Sequence, residues 1–210
     1  MQRTTAPTRP RQAGHGRWHA AAFLQSHLRC AWCGPSLLVL DLDGWCGRHS
    51  FSGLFFREAR HLSEARLELF GEPPVSGSLA EGPHAIEASF LYPPVESTGG
   101  GGSGSGGSSR RHGVLARGLD LTAAWRVRPA SLALTVRIAN RWQEEVEVPV
   151  AWRLAADFAD LQQASAGTDG YGARAAAEPG GVLFTCAHPD LPLATRVTAG
   201  GADWRWQGDR

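Results

Sequence analysis

From residue 36 onward, apolar side chains in this chain tend to recur at every second position, the period of a strand with one face in a core and one in water. Ala65, Leu67 and Leu69 alternate with Arg66 and Glu68 until Gly71-Glu72-Pro73-Pro74 breaks the run. Ile86, Ala88, Phe90 and Tyr92 form a second series, ended by Pro93-Pro94. Leu132, Leu134, Val136 and Ile138 form a third, opposite Thr135 and Arg137. The longest series is Val146, Val148, Val150, Trp152 and Leu154, with Glu147, Pro149 and Arg153 on the other face. Pro149 has no N–H for a ladder, so that strand is expected at an edge or with a bulge. Val182–Cys186 and Leu193–Val197 are weaker strand candidates. Helical spacing is rare: Glu58 to Leu67 fits either a helix or a bent strand. Short strands separated by turn residues predict an all-β fold, a large antiparallel β-sandwich of the supersandwich type with little helix.

With 42 % hydrophobic and 20 % charged residues in 210, the chain can bury a sizeable core. Residues 1–35 are expected to be a lead-in, partly disordered, and 36–210 one sandwich domain. Inside that domain the Gly/Ser stretch 98–109 behaves as a flexible loop, which a sandwich tolerates because closure entropy grows slowly with length. The arginines near the N-terminus precede no apolar run of signal length, and no segment approaches a membrane span, so the expected location is cytoplasmic. Cys30, Cys33, Cys46 and Cys186 are too few for a disulfide framework and are expected as thiols. A net charge of +1 offers no footprint for nucleic acid. All 21 basic residues are Arg, which excludes Schiff-base, P-loop-lysine and Ser–Lys chemistry.

Several motifs have a chemical look. Leu37-Leu38-Val39-Leu40-Asp41-Leu42-Asp43-Gly44 resembles the nucleophile strand of haloacid-dehalogenase-type phosphatases. That chemistry also needs Mg²⁺ and a later cation, usually Lys, and a βαβ pattern; Trp45 stands where a small hydroxyl residue is expected. An Asp-x-Asp-Gly turn is the favoured reading, with a divergent phosphatase built on Asp41 and Asp43 as the remote one. Cys30-Ala31-Trp32-Cys33 has redox spacing, but a strand rather than a helix follows it, and a zinc site lacks a second pair. His84-Ala85-Ile86-Glu87 lacks the downstream cysteines of a zinc deaminase. No metal or other cofactor is expected. Trp204 and Trp206, expected on one face of a terminal strand, would cover a partner domain or a sugar ring, with the former favoured.

Two further segments carry a resemblance. Gly53-Leu54-Phe55-Phe56-Arg57-Glu58-Ala59-Arg60-His61-Leu62-Ser63 leads into Leu67-Glu68-Leu69-Phe70-Gly71-Glu72-Pro73-Pro74, and Ala151-Trp152-Arg153-Leu154 runs into Ala155-Ala156-Asp157-Phe158-Ala159-Asp160-Leu161. In order, spacing and strand pattern they resemble the N-terminal domain of bacterial glycogen debranching enzymes of the amylo-α-1,6-glucosidase type, over roughly residues 36 to 165. The Gly/Ser stretch and Gln162-Gln163-Ala164-Ser165 depart from that family's pattern.

The resemblance implies a non-catalytic accessory domain, whose partner in cis is an α/α-barrel catalytic domain and whose possible ligand is an α-glucan. A stand-alone carbohydrate-binding module is the alternative. Arg57 and Arg60 sit among apolar residues, where charges need partners, and Asp157 and Asp160 are candidates to supply them. Either the four form an ion-pair network pinning the sandwich, or they are ordinary solvated charges at strand ends. No catalytic residue is expected: glycoside hydrolysis needs two carboxyl groups roughly 5–10 Å apart, and no such pair stands out.

Overall fold

The computed structural model describes residues 27–93, 110–111, 114–115, 117–201 and 203–207. Residues 1–26 of the expected lead-in and the Gly/Ser stretch 98–109 lie outside the described residues. In chain order the strands are β1 (Leu28–Cys33), β2 (Ser36–Asp41), β3 (Gly53–Phe56), β4 (Ala59–Leu62), β5 (Glu64–Leu69), β6 (Val75–Gly82), β7 (Ala85–Tyr92), β8 (Arg110–Arg111), β9 (Val114–Leu115), β10 (Leu119–Arg128), β11 (Ser131–Asn140) and β12 (Val150–Ala155). A six-residue helix, α1 (Leu161–Ala166), precedes β13 (Ala173–Glu178), β14 (Gly181–Cys186) and β15 (Ala194–Thr198). Every recorded strand pairing is antiparallel. The fold is an all-β sandwich.

One sheet has the order β1-β2-β3-β4 and another β11-β10-β7-β6; β12 pairs with β5, and β13-β14-β15 form a third sheet. The main core lies where the alternating faces meet. Ile86, Ala88, Phe90 and Tyr92 of β7 join Leu121, Ala123 and Trp125 of β10, and these meet Leu38 and Leu40 of β2 and Ala65, Leu67 and Leu69 of β5. The other face of β2 is covered too. Val39 packs with Leu28, Phe55, Ala159 and Ala164, so Leu37 to Leu40 form an unbroken apolar run instead of an alternating one.

At the end of β2 the chain turns at Asp41-Leu42-Asp43-Gly44 and drops Trp45 into the core. Trp45 is fully buried, stacked on Phe90 at 4.9 Å between centroids and edge-on to Trp125 and Trp152 at 6.0 and 5.8 Å. The Gly44 carbonyl accepts from Trp125 Nε1 at 3.2 Å. Gly44 has φ +82°, and a Cβ there would stand 2.8 Å from Ala88 Cβ and 3.0 Å from Phe90 Cζ. The turn therefore needs glycine twice, for its backbone and for its closeness to β7.

Three strand expectations need correction. The sheet begins at Leu28, inside the stretch read as lead-in, because β1 pairs along its whole length with β2. The strand expected over 146–154 starts only at Val150. Val146 and Val148 still pack on the core, but Pro149 has no N–H to extend the ladder and its carbonyl instead accepts from Phe70 N at 3.1 Å. Trp204 and Trp206 lie outside any strand. Between Glu58 and Leu67 the chain forms two strands, β4 and β5, and no helix.

Gly44→Ala is expected to lower unfolding free energy by about 3 kcal/mol, from left-handed strain plus overpacking against Ala88. Urea denaturation measures it, and an unchanged midpoint would contradict the close approach.

Candidate functional site

The two segments that stood out in the sequence meet each other in space. The Arg60 amide donates to the Ala159 carbonyl at 2.8 Å, the Ser63 amide to Ala155 at 2.9 Å, and Ala59 bridges Asp160. Within this frame the Arg60 guanidinium, only 7 % exposed, grips Asp157 through two hydrogen bonds. Nε donates to Oδ1 at 3.0 Å, and Nη2 donates to Oδ2. Nη1 turns the other way, to the backbone carbonyls of Ser50 and Ser52. One cation thus joins β4, the loop ahead of β3 and the segment after β12. Gly53, at φ +143°, makes room: a Cβ there would fall 2.4 Å from the Leu62 carbonyl and 2.8 Å from Arg60 Cδ.

Each residue of Asp157-Phe158-Ala159-Asp160 points to a different place. Asp157 faces Arg60. Phe158, with φ +53°, sends its ring into a cluster with Leu54, Leu62, Val182 and Phe184. A left-handed phenylalanine is strained by about 1–3 kcal/mol and persists only where its surroundings fix it. Ala159 packs under β2. Asp160 caps α1: its side chain accepts from Gln163 N at 2.8 Å, while the Gln163 side chain accepts from Asp160 N at 2.9 Å.

Of the four charges considered as a network, the structure brings together Arg60 and Asp157 and leaves two outside. Arg57 occupies the turn between β3 and β4 at φ +57°, exposed, its guanidinium 5.5 Å from the centre of the Phe56 ring. Asp160 is occupied by the helix cap. Its partner Gln163 was open to recognition, since Asp-x-x-Gln is capping-box spacing.

The Asp-x-Asp-Gly segment is a turn in three dimensions. Asp41, 5 % exposed, accepts from the Arg48 and His49 amides at 2.8 and 3.0 Å. Burial raises its carboxyl pKa above the usual range, against the lowering effect of those amides. Asp43 accepts from Trp45 N at 3.2 Å and lies beside Arg48 and Arg66. Cys30 and Cys33 project to opposite faces of β1, the first toward the Val39 cluster and the second toward the main core. A shared metal or a disulfide is incompatible with that placement. Among the described residues no group of three or more His, Cys, Asp and Glu is arranged to hold a metal.

A cleft of about 620 Å³ opens between β11, β12 and β15. Its walls include Phe56, His61, Leu134, Trp152, Thr195 and Trp204, and no carboxylate is among the described residues that line it. His61, unremarked in the sequence, bridges two layers. Its Nδ1 lies 2.9 Å from Thr195 Oγ1 on β15, and its ring stands edge-on to Phe158 and Phe56 at 5.5 and 6.0 Å. Burial lowers its pKa. Trp206 stands edge-on to Phe184 at 5.8 Å, outside the cleft.

A family model described as the N-terminal domain of (some) glycogen debranching enzymes matches residues 33–205. The chain belongs to this family. No curated protein and no solved structure matches the chain. The match extends past the two segments that first suggested it and takes in β13 to β15. As a debranching-enzyme N-terminal domain, the chain brings its 53–63 and 151–161 segments together at one structural junction, with the cleft beside them. No helix among the described residues is long and apolar enough to cross a membrane.

Two predictions follow from this geometry. Asp157→Ala leaves a buried guanidinium half-satisfied and is expected to cost about 3 kcal/mol. Asp160→Ala should cost about 1 kcal/mol, the usual value of an N-cap, and Arg57→Ala within about 0.5 kcal/mol, as an exposed side chain. Chemical denaturation of the three variants tests that order, and equal losses would refute it. The second concerns pH. Because the folded pKa of His61 is depressed, the unfolded chain binds the extra proton, so stability is complete above about pH 6.5 and falls as pH drops below it. Asp41, with a raised pKa, acts in the opposite sense at lower pH. His61→Gln is expected to flatten the stability profile below pH 6.5; a profile identical to that of the parent would exclude the buried-imidazole account.

Proposed function

We propose that this domain is a non-catalytic accessory module of a glycogen debranching-type glycoside hydrolase, packing in cis on an α/α-barrel catalytic domain and shaping its cleft. The observation that carries this reading is the use to which the carboxylates are put. Asp157 is held by Arg60, Asp160 by the helix cap and Asp41 by two amides, while the cleft beside β15 has no carboxylate among the described residues of its lining. Acid–base hydrolysis of a glycosidic bond needs a pair of carboxyl groups flanking it, one to protonate the leaving oxygen. These three groups are committed to scaffold bonds, which supports placing the bond-breaking in another domain. The thiols of Cys30, Cys33, Cys46 and Cys186, all free, fit a reducing, cytoplasmic setting.

Purified chain incubated with an α-1,6-branched limit dextrin is expected to release no glucose, measured with a glucose-specific coupled assay. Sustained release that disappears in Asp157→Asn would sink the accessory reading.

A further inference from the structure

The cleft between β11, β12 and β15 has a chemistry of its own. Trp152 and Trp204 give it aromatic walls, and Thr195 and Thr198 add hydroxyls on the β15 side. Its one charged lining residue is Arg196, whose Nε and Nη2 are held by Glu178 at 2.7 and 3.2 Å. The cleft is thus electrically balanced and suits a neutral occupant. Two ring nitrogens in its walls, His61 Nε2 and Trp204 Nε1, are enclosed without a hydrogen-bond partner. Buried polar atoms of that kind are uncommon, and each favours a ligand that supplies a partner. A purely apolar ligand leaves both unpaired, and an ionic one meets no opposite charge. A pyranose meets all three conditions: it is neutral, has apolar ring faces for indole, and carries hydroxyls that donate and accept. The volume lies within the range of small-ligand sites, roughly 300–1,000 Å³.

We propose that this cleft is a non-hydrolytic subsite for a short α-linked glucose oligomer, with Trp204 as its movable aromatic platform. The choice of an α-glucan among sugars rests on the debranching-enzyme reading; the site itself rests on the cleft. With no carboxylate in the lining, a chain bound there is held and not cut. Trp204 Nε1 is covered in this structure, so a sugar reaches it only as the indole turns, and tryptophan emission reports that movement.

The test is titration of the whole chain with maltoheptaose, followed by tryptophan fluorescence and by calorimetry, with cellohexaose as the β-linked control. Saturable binding of maltoheptaose is expected, with no comparable response to cellohexaose. Trp204→Ala should weaken it about tenfold, and Thr198→Tyr, an exposed position at the end of β15, should block the cleft, both with an unchanged melting temperature. No response to millimolar maltoheptaose would overturn the proposal, as would unaltered affinity in both variants or equal binding of cellohexaose. A chain that neither binds maltoheptaose nor releases glucose loses the subsite and keeps the accessory role; one that releases glucose loses the accessory role instead.

Discussion

The Arg60 guanidinium is the constraint around which this domain is assembled. It is buried on β4, where an unpaired cation would be costly, and its donors meet a carboxylate that follows β12 and the carbonyls of the loop before β3. The value of such a pair lies in position more than in net energy, since desolvating two charges offsets much of their attraction. Two in-plane bonds to Asp157 fix the direction from which the chain leaves β12. That direction sets the rest. Phe158 can enter the cluster shared with β14 only if Asp157 points away from it, and the left-handed backbone at Phe158 makes the division. Asp160 then arrives where α1 must start, and α1 covers the second face of β2.

This dependence places several separate demands on one short run of sequence. In Ala156-Asp157-Phe158-Ala159-Asp160, Ala156 and Phe158 serve the cluster with Leu62 and Phe184, Asp157 an ion pair, Ala159 the underside of β2 and Asp160 a helix cap. In the earlier element Gly53 is restricted by the Leu62 carbonyl, Phe55 by the layer under β2, and Arg60 by its carboxylate. Few alternative residues satisfy those demands together. The alternating strands are more permissive, because any apolar residue of suitable size keeps a sheet face dry.

The same distinction governs what was legible in advance. The faces of β5 and β7 were readable because a period of two admits one arrangement once one face is buried. The turn at Asp41 to Gly44 was readable from its side-chain and backbone chemistry. Arg57 and Arg60 looked alike in sequence, yet strand β4 starts between them, so one turns to solvent and the other inward. Val146 and Val148 kept the alternation of a strand without being one, because apolar contact needs no N–H and a ladder does. His61 gave no signal at all. Its role comes from Thr195, a contact across 134 residues that no local pattern encodes.

A sandwich of this kind would allow many activities, so function has to be argued from where its reactive groups went. Here Asp157 steers a chain direction, Asp160 starts a helix and Asp41 closes a turn. Freeing any of them for catalysis would undo the contact it makes, and the frame and the chemistry would then compete for one side chain. Assigning the chemistry to a separate domain removes that competition. It lets the scaffold residues be chosen for rigidity alone, with the cleft beside β15 free of carboxylates among the described residues of its lining.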